Sequence, residues 1–306
     1  MKGFVRNMDI IRLSRPPKSM RLKTEPCVIA IGYFDGVHLG HRSVIMRAKT
    51  VSERENVPLS VLTFDPHPKE VVSQGKYRVD HLMPLAKKAE ILAGLGVDKL
   101  YIAEFTTAFS KLPPATFVEQ YLIGLQAVHV VTGFDFTYGH LGKGNAGTLE
   151  SDGRGRFAAT IVPEIERCGQ KISSTLIRNM LRTGDVERIA HCLGNFYTIQ
   201  GKASPGAKDP VTGATKALFT PFPQYTLPGC GVYRIRALVG KKTINALAHV
   251  RPGDETPKIV EIEWFGPCPI RSGFTVMEIQ WLHRLNVADR PVAPAEPVPV
   301  NISRGG

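Results

Sequence analysis

Residues 27–42 read CVIAIGYFDGVHLGHR, an apolar run, a glycine turn and the opening of a helix. Val28 to Ile31 is too short an apolar run for a helix, and Gly32 closes it, so it reads as a buried strand ending in a tight turn. The spacing predicts a helix that starts near Gly40 and runs through Val44, Ile45 and Ala48. His38 and His41 then stand together at its N-terminal end. Free backbone N–H groups and the positive end of the helix dipole attract phosphate there, and two imidazoles add donors.

Working outward, Met8 to Leu13 reads as an edge strand and Leu59 to Phe64 as a second buried strand. Asp65-Pro66-His67-Pro68 follows as a rigid turn, because two prolines fix φ and give up their donors. Lys87 to Leu95 reads as an amphipathic helix stopped at Gly96, Leu100 to Phe105 as a third strand, Pro114 to Leu122 as a helix and Val128 to Val131 as a fourth strand. Strands alternating with helices at this pitch predict a parallel sheet covered on both faces. Ligands bind such sheets beyond the carboxyl ends of the strands. Gly32 to His41, Phe64 to Pro68 and Gly133 to Gly147 all fall at such ends. The last belongs to GFDFTYGHLGKGNAGTL, Gly133 to Leu149, whose glycines permit close backbone approach and whose rings at Phe134, Phe136 and Tyr138 offer stacking surfaces. In ISSTLIRNMLRTGDV, Ile172 to Val186, Ser173, Ser174 and Thr175 can cap a helix that runs to Arg182. Arg178 then lies one turn beyond the hydroxyls, an arrangement suited to phosphate.

His-x-Gly-His after a strand and turn resembles the nucleotidyltransferase superfamily. The longer string Gly32 to His41 resembles the narrower GxFDGxHxGH of the bacterial FAD synthetase family. TFDPHP, GFDFTYG (family GxDFxFG, with Tyr138 for the usual Phe) and a complete ISSTxIR extend the likeness over residues 28 to 194. The resemblance implies a Rossmann-like nucleotidyltransferase domain in which the FMN phosphate attacks the α phosphorus of Mg-ATP, giving FAD and pyrophosphate. It implies His38, His41 and Arg178 as catalytic residues. The nucleotide would be held by Gly32, Phe34, Asp35, His38, His41, Asp135, Ser174, Thr175 and Arg178, and the flavin by Phe64, Pro66, His67, Phe136 and Tyr138. Magnesium is expected to accompany ATP, but no carboxylate cluster marks a cage, so no metal ligand is assigned.

From Phe196 helical periodicity gives way to short strand-like runs: Tyr197 to Lys202, Gly231 to Val239, Thr243 to Val250, Lys258 to Phe265 and Phe274 to Leu282. They predict a small antiparallel barrel. The expected organisation is an adenylyltransferase domain over 1–195, a barrel over 196–287 and a proline-rich disordered tail over 288–306. In the bifunctional members of the family the second domain is a riboflavin kinase. Leu227 to Tyr233 resembles the LPxGVY of that kinase, and Glu261 stands about where its catalytic glutamate does. The Pro-Thr-Ala-Asn run that binds metal and nucleotide is missing, since the region reads GATKALFTPFPQY, Gly213 to Tyr225. Riboflavin phosphorylation is therefore expected to be absent or very weak. Two other readings make different predictions: a bifunctional enzyme would form ADP from riboflavin and ATP, and a flavin-sensing or RNA-binding regulator would bind RNA with steep salt dependence.

Composition sets the outer bounds. A chain of 306 residues, 43% apolar, can bury a core in each of two domains. No run approaches the ~20 apolar residues of a bilayer crossing, and no signal peptide opens the chain, which predicts a cytoplasmic protein without membrane partners. Cys27, Cys168, Cys192, Cys230 and Cys268 are scattered with no Cys-x-x-Cys, so they read as packing thiols. Half of the formal charge of +12 comes from Lys2, Arg6, Arg12, Arg15, Lys18, Arg21 and Lys23 against Asp9. No RNA-binding pattern with interleaved aromatics follows, so the cluster reads as a solvated segment and no nucleic acid is expected. Met8 offers a second possible start. Nothing in the sequence fixes an oligomeric state.

Overall fold

The computed structural model describes residues 8–167, 169–208, 215–251, 259–270 and 272–286. The expectations placed on Cys168 and on the 288–306 tail lie outside them. The chain forms two compact units.

The first unit is built on a six-stranded sheet: β1 (Asp9–Leu13), β2 (Cys27–Ile31), β3 (Leu59–Asp65), β4 (Lys99–Glu104), β5 (Ala127–Gly133) and β6 (Ala158–Val162). Every pairing is parallel, in the order β1-β4-β3-β2-β5-β6. All five residues of β2 are buried, because the sheet is covered on both sides. Alternate residues feed two cores: Ile29, Ile31, Leu62 and Tyr101 face one, and Val28, Ala30, Val61 and Leu100 the other. Strand order reverses between β2 and β5, so their carboxyl ends open a crevice in which loops diverge.

Helix α1 (Leu39–Glu55) leaves β2, α2 (Pro68–Val72) follows β3, and α3 (Leu85–Gly94) precedes β4. The predicted helix over 114–122 is a short α segment, Pro114–Phe117, that widens into a π-helical turn, Val118–Ile123. Two further helices, α4 (Ser174–Thr183) and α5 (Val186–Leu193), follow the sheet. The edge strand β6 has no counterpart among the sequence expectations. Its burial is uneven, so AATIV carries neither a clean alternation nor a continuous apolar signal.

The second unit is a closed antiparallel barrel of six strands: β7 (Thr198–Lys208), β8 (Thr215–Pro221), β9 (Gly231–Val239), β10 (Lys242–Val250), β11 (Val260–Trp264) and β12 (Thr275–Leu285). They close in the order β7-β8-β11-β10-β9-β12. β8, which closes the barrel, occupies the stretch where the sequence suggested no strand. There Ala217 and Phe219 point inward, but the exposed Leu218 between them breaks the apolar-polar alternation that would mark a strand. β7 runs past its expected end at Lys202 because a register shift between Pro205 and Lys208 lets the strand accommodate Pro205 and Gly206.

Among the described cysteines Cys27 and Cys192 are buried, as packing thiols should be. Cys230 is exposed, which corrects that expectation for this residue: it sits in the turn before β9 and contributes little to a core.

Candidate active site

The turn after β2 is tightly wound. Phe34, Gly36 and Val37 all have positive φ, unusual for two bulky side chains. A Cβ on Gly36 would come within 2.6 Å of the Leu82 side chain, so only glycine lets the turn close. The turn delivers His38 to the N-cap of α1, where its Nδ1 accepts the His41 backbone N–H at 3.3 Å. Nδ1 is thereby unprotonated, and the neutral ring carries its proton on Nε2 as a donor. The two imidazoles stack with centroids 3.6 Å apart, and the buried Phe34 ring meets His41 edge-on at 5.3 Å. Phe34 therefore supports a histidine from beneath, its side chain being sealed in the core.

Burial outweighs the nearby Asp135 carboxylate and holds the His38 imidazole down at about 4, with the charges of Lys171 and Arg178 acting in the same direction. His41 lies well below its ordinary range for the same first reason, reinforced by His38, Lys88 and Arg178. The pair is thus neutral at neutral pH. The His38 Nε2–H donor can serve a phosphate, and His41 Nδ1 is buried with no hydrogen-bond partner. As pH falls, the unfolded chain takes up the His38 proton first, near 6.5, and the folded chain only near 4. Stability is therefore complete above the unfolded value and declines between the two, by roughly 3 kcal/mol from His38. Denaturant unfolding at neutral and acid pH should show a shallower acid loss in His38→Asn than in the parent; equal slopes would refute this.

Helix α4 begins beside α1. A Cβ on Gly40 would crowd the His38 ring at 3.2 Å, so glycine leaves room for the imidazole, while the Ile172 carbonyl oxygen just before α4 lies at ordinary contact distance, 3.8 Å. Of the three hydroxyls before α4, Ser173 makes the cap by accepting the Leu176 N–H at 3.1 Å. The Ser174 hydroxyl donates to the Asp35 carbonyl at 2.9 Å, and Thr175 is exposed in the first turn. Arg178 donates Nε to the Asp80 carbonyl at 2.7 Å and Nη2 to the Asp35 carboxylate at 2.5 Å. Asp35, 2% exposed, also accepts the Leu82 N–H. The structure thus brings His38, His41, Ser174 and Arg178 to one rim and turns the Asp35 carboxylate toward Arg178 as its clamp.

Asp135 faces the same rim from the loop after β5, paired at 2.8 Å with Lys171, whose ammonium also lies over the Phe134 ring. Lys171 went unnoticed in the sequence, where nothing distinguishes it from a surface lysine. No three His, Cys, Asp or Glu side chains converge on a metal position among the described residues. At this rim the carboxylates of Asp35 and Asp135 are each paired with a cation, Arg178 and Lys171.

Beyond β3 and β4 lies a cavity of about 510 Å³ walled by aromatics that include Phe64, Phe105, Phe109, Phe117 and Tyr138. Phe136 stacks on Tyr138 at 5.8 Å. The Tyr138 hydroxyl bonds Thr148 and the Asp152 carboxylate, which ties the glycine-rich loop to the helix Leu149–Gly153. Pro66 is exposed, and His67 caps α2 by accepting the Lys69 N–H on Nδ1 at 3.0 Å, so it too presents Nε2–H. Phe105 and Phe109 were not anticipated; the aromatic spacing FTTAF just past β4 was the available signal. A more open cavity of about 630 Å³ lies at the opposite rim, among Asp9, Glu25, Lys49, Asp98 and Lys99, and holds none of the expected site residues.

A parallel sheet whose switch point carries two neutral, stacked histidines at a helix N-terminus, faced by a clamped arginine, defines a nucleotidyltransferase. A family model described as FAD synthetase matches residues 20–176. A bifunctional riboflavin kinase/FMN adenylyltransferase of Listeria monocytogenes is 42% identical over 73% of this chain and 71% of its own length. Its namesake in Bacillus subtilis is 38% identical over 79% and 77%. A Listeria monocytogenes protein named FAD synthetase is 31% identical over 74% and 88%. A solved Streptococcus pneumoniae chain described as a macrolide-efflux protein superposes with a TM-score of 0.80 over 91% of both chains, at 26% identity. The chain belongs to the FAD synthetase family and is an FMN adenylyltransferase. No helix among the described residues is long and apolar enough to cross a membrane.

Proposed function

We propose that the parallel-sheet unit makes FAD by in-line attack of the FMN phosphate oxygen on the α phosphorus of ATP, with pyrophosphate leaving, and that the barrel does not phosphorylate riboflavin. The observation that carries the first part is the pair of neutral, stacked histidines at the start of α1, close enough to Arg178 for its charge to act on both. Such a transfer needs no covalent intermediate, only alignment and stabilisation of spreading negative charge. His38 and His41 donate Nε2–H to the phosphoryl oxygens, while Arg178, Ser174 and Thr175 hold the pyrophosphate portion. Magnesium enters as Mg-ATP, held by the triphosphate. The aromatic cavity at Phe64 and Tyr138 takes the isoalloxazine, with His67 at its mouth and Pro66 and Phe136 shaping the walls.

In this reading residues 1–195 and 196–287 act as separate modules, and nucleic acid has no part. The names of the relatives favour the bifunctional alternative, which differs only in the barrel. Purified chain incubated with Mg-ATP and FMN should convert FMN to FAD, read by chromatography of the flavins. Unchanged FMN would sink the reading.

A further inference from the structure

Lys88 lies on the buried stripe of α3 and is only 3% exposed. Lysines are almost never so deeply buried unless paired with an opposite charge. Here the ammonium instead donates to the Tyr33 carbonyl at 2.7 Å and sits 4.2 Å over the Tyr33 ring. The Thr63 hydroxyl donates to the same carbonyl at 2.9 Å. Tyr33 in turn packs against the His67 ring at 4.1 Å, and its hydroxyl bonds His81 Nδ1 at 3.3 Å.

We infer that Lys88 is a positioning residue for adenylyl transfer, holding Tyr33 by carbonyl and ring, and through Tyr33 the His67 imidazole, while setting a fixed positive charge beneath the phosphate crevice. This rests on the adenylyl-transfer reading above. An apolar side chain of similar volume would fill the space without the penalty of an enclosed charge, and such replacements are often neutral or stabilising. Retention of the ammonium therefore points to the site. The charge reaches both sides of the crevice, since it contributes to the lowering of His41 and of His67.

The groups facing Lys88 are Tyr33 and Asp35 from the turn after β2, Thr63 and Asp65 from β3, His41 from α1 and His67 from the cap of α2. Burial lowers the ammonium to about 8, against the pull of Asp35 and Asp65. Above that pH the charge is lost, so the rate should fall as pH rises.

The test measures initial rates of FAD formation from FMN and Mg-ATP for the parent and Lys88→Met across pH 7 to 9, together with their thermal transitions. The parent should lose rate with a midpoint near 8. Lys88→Met should be at least about tenfold slower at pH 7, because misplaced site groups cost that much or more, and it should lack the alkaline fall while melting no lower than the parent. A flat parent profile, a variant within about twofold of the parent, a variant that keeps the alkaline fall, or one that melts well below the parent would each overturn the assignment. The parent profile decides even if the variant is unstable. A parent that forms no FAD at any pH would overturn the adenylyl-transfer reading itself, an outcome distinct from a parent that is active and indifferent to Lys88.

Discussion

Arg178→Ala should lower kcat for FAD formation by about a hundredfold or more, the loss typical of removing one donor aimed at developing charge. It should also destabilise the first unit, for a separate reason. The Arg178 guanidinium meets the carboxylate of Asp35, which is 2% exposed and otherwise receives the Leu82 N–H. Removing the cation leaves that carboxylate enclosed without its counter-charge, a change that costs about 3 kcal/mol. The two effects separate in the double variant Asp35→Asn/Arg178→Gln. With the buried charge gone from both sides, most of the stability should return while the rate stays low. Arg178→Lys should keep a charge but lose the fork that grips Asp35 and the Asp80 carbonyl together, so its rate should fall as well. Arg178→Ala working within about threefold of the parent would remove Arg178 from the site, and a double variant that recovers full rate would make its role purely structural.

What the sequence revealed of this arrangement, and what it hid, follows from the range of each interaction. β2 and β3 were legible because a sheet covered on both sides demands unbroken apolar runs, and Val28–Ile31 and Leu59–Phe64 supply them. The histidines were legible because strand, turn and helix start are all local, so the spacing of His38 and His41 already places them at an N-cap. Asp35 shows the opposite case. A carboxylate in a glycine turn looks free to meet a nucleotide, and only the fold brings Leu82 and Arg178 to it across 47 and 143 residues. Lys88 did leave a trace. It falls three residues after Leu85 and four before Leu92, on the stripe that an amphipathic helix buries, where a lysine is out of place. The same dependence on distant partners hid β8, whose inward residues Ala217 and Phe219 acquire meaning only when β7 and β11 pair on either side.

The barrel carries the prediction with the largest expected effect: with riboflavin and Mg-ATP the chain should form FMN at less than about a hundredth of the rate at which it turns FMN into FAD. A kinase glutamate acts as a general base on the ribityl hydroxyl, and a base works best with its pKa near the working pH, an effect typically worth 10²–10⁴-fold. On the proposed reading Glu261 is unsuited to that work. Partial burial tends to raise its carboxyl, but the Lys216 hydrogen bond and the charges of Lys216 and Arg251 outweigh burial and hold it below the ordinary range. Its oxygens lie 2.8 Å from Lys216 Nζ and 3.2 Å from Arg251 Nη2, so they are occupied as well as weakly basic. Lys216 extends from β8, a stretch that carries no Pro-Thr-Ala-Asn run. On the proposed reading, in which the barrel lacks the metal ligands of the kinase run, Lys216→Ala should free Glu261 without restoring phosphorylation. FMN accumulating from riboflavin at a rate comparable to FAD formation would refute this account of the barrel, and would do so without touching the assignment of the histidines.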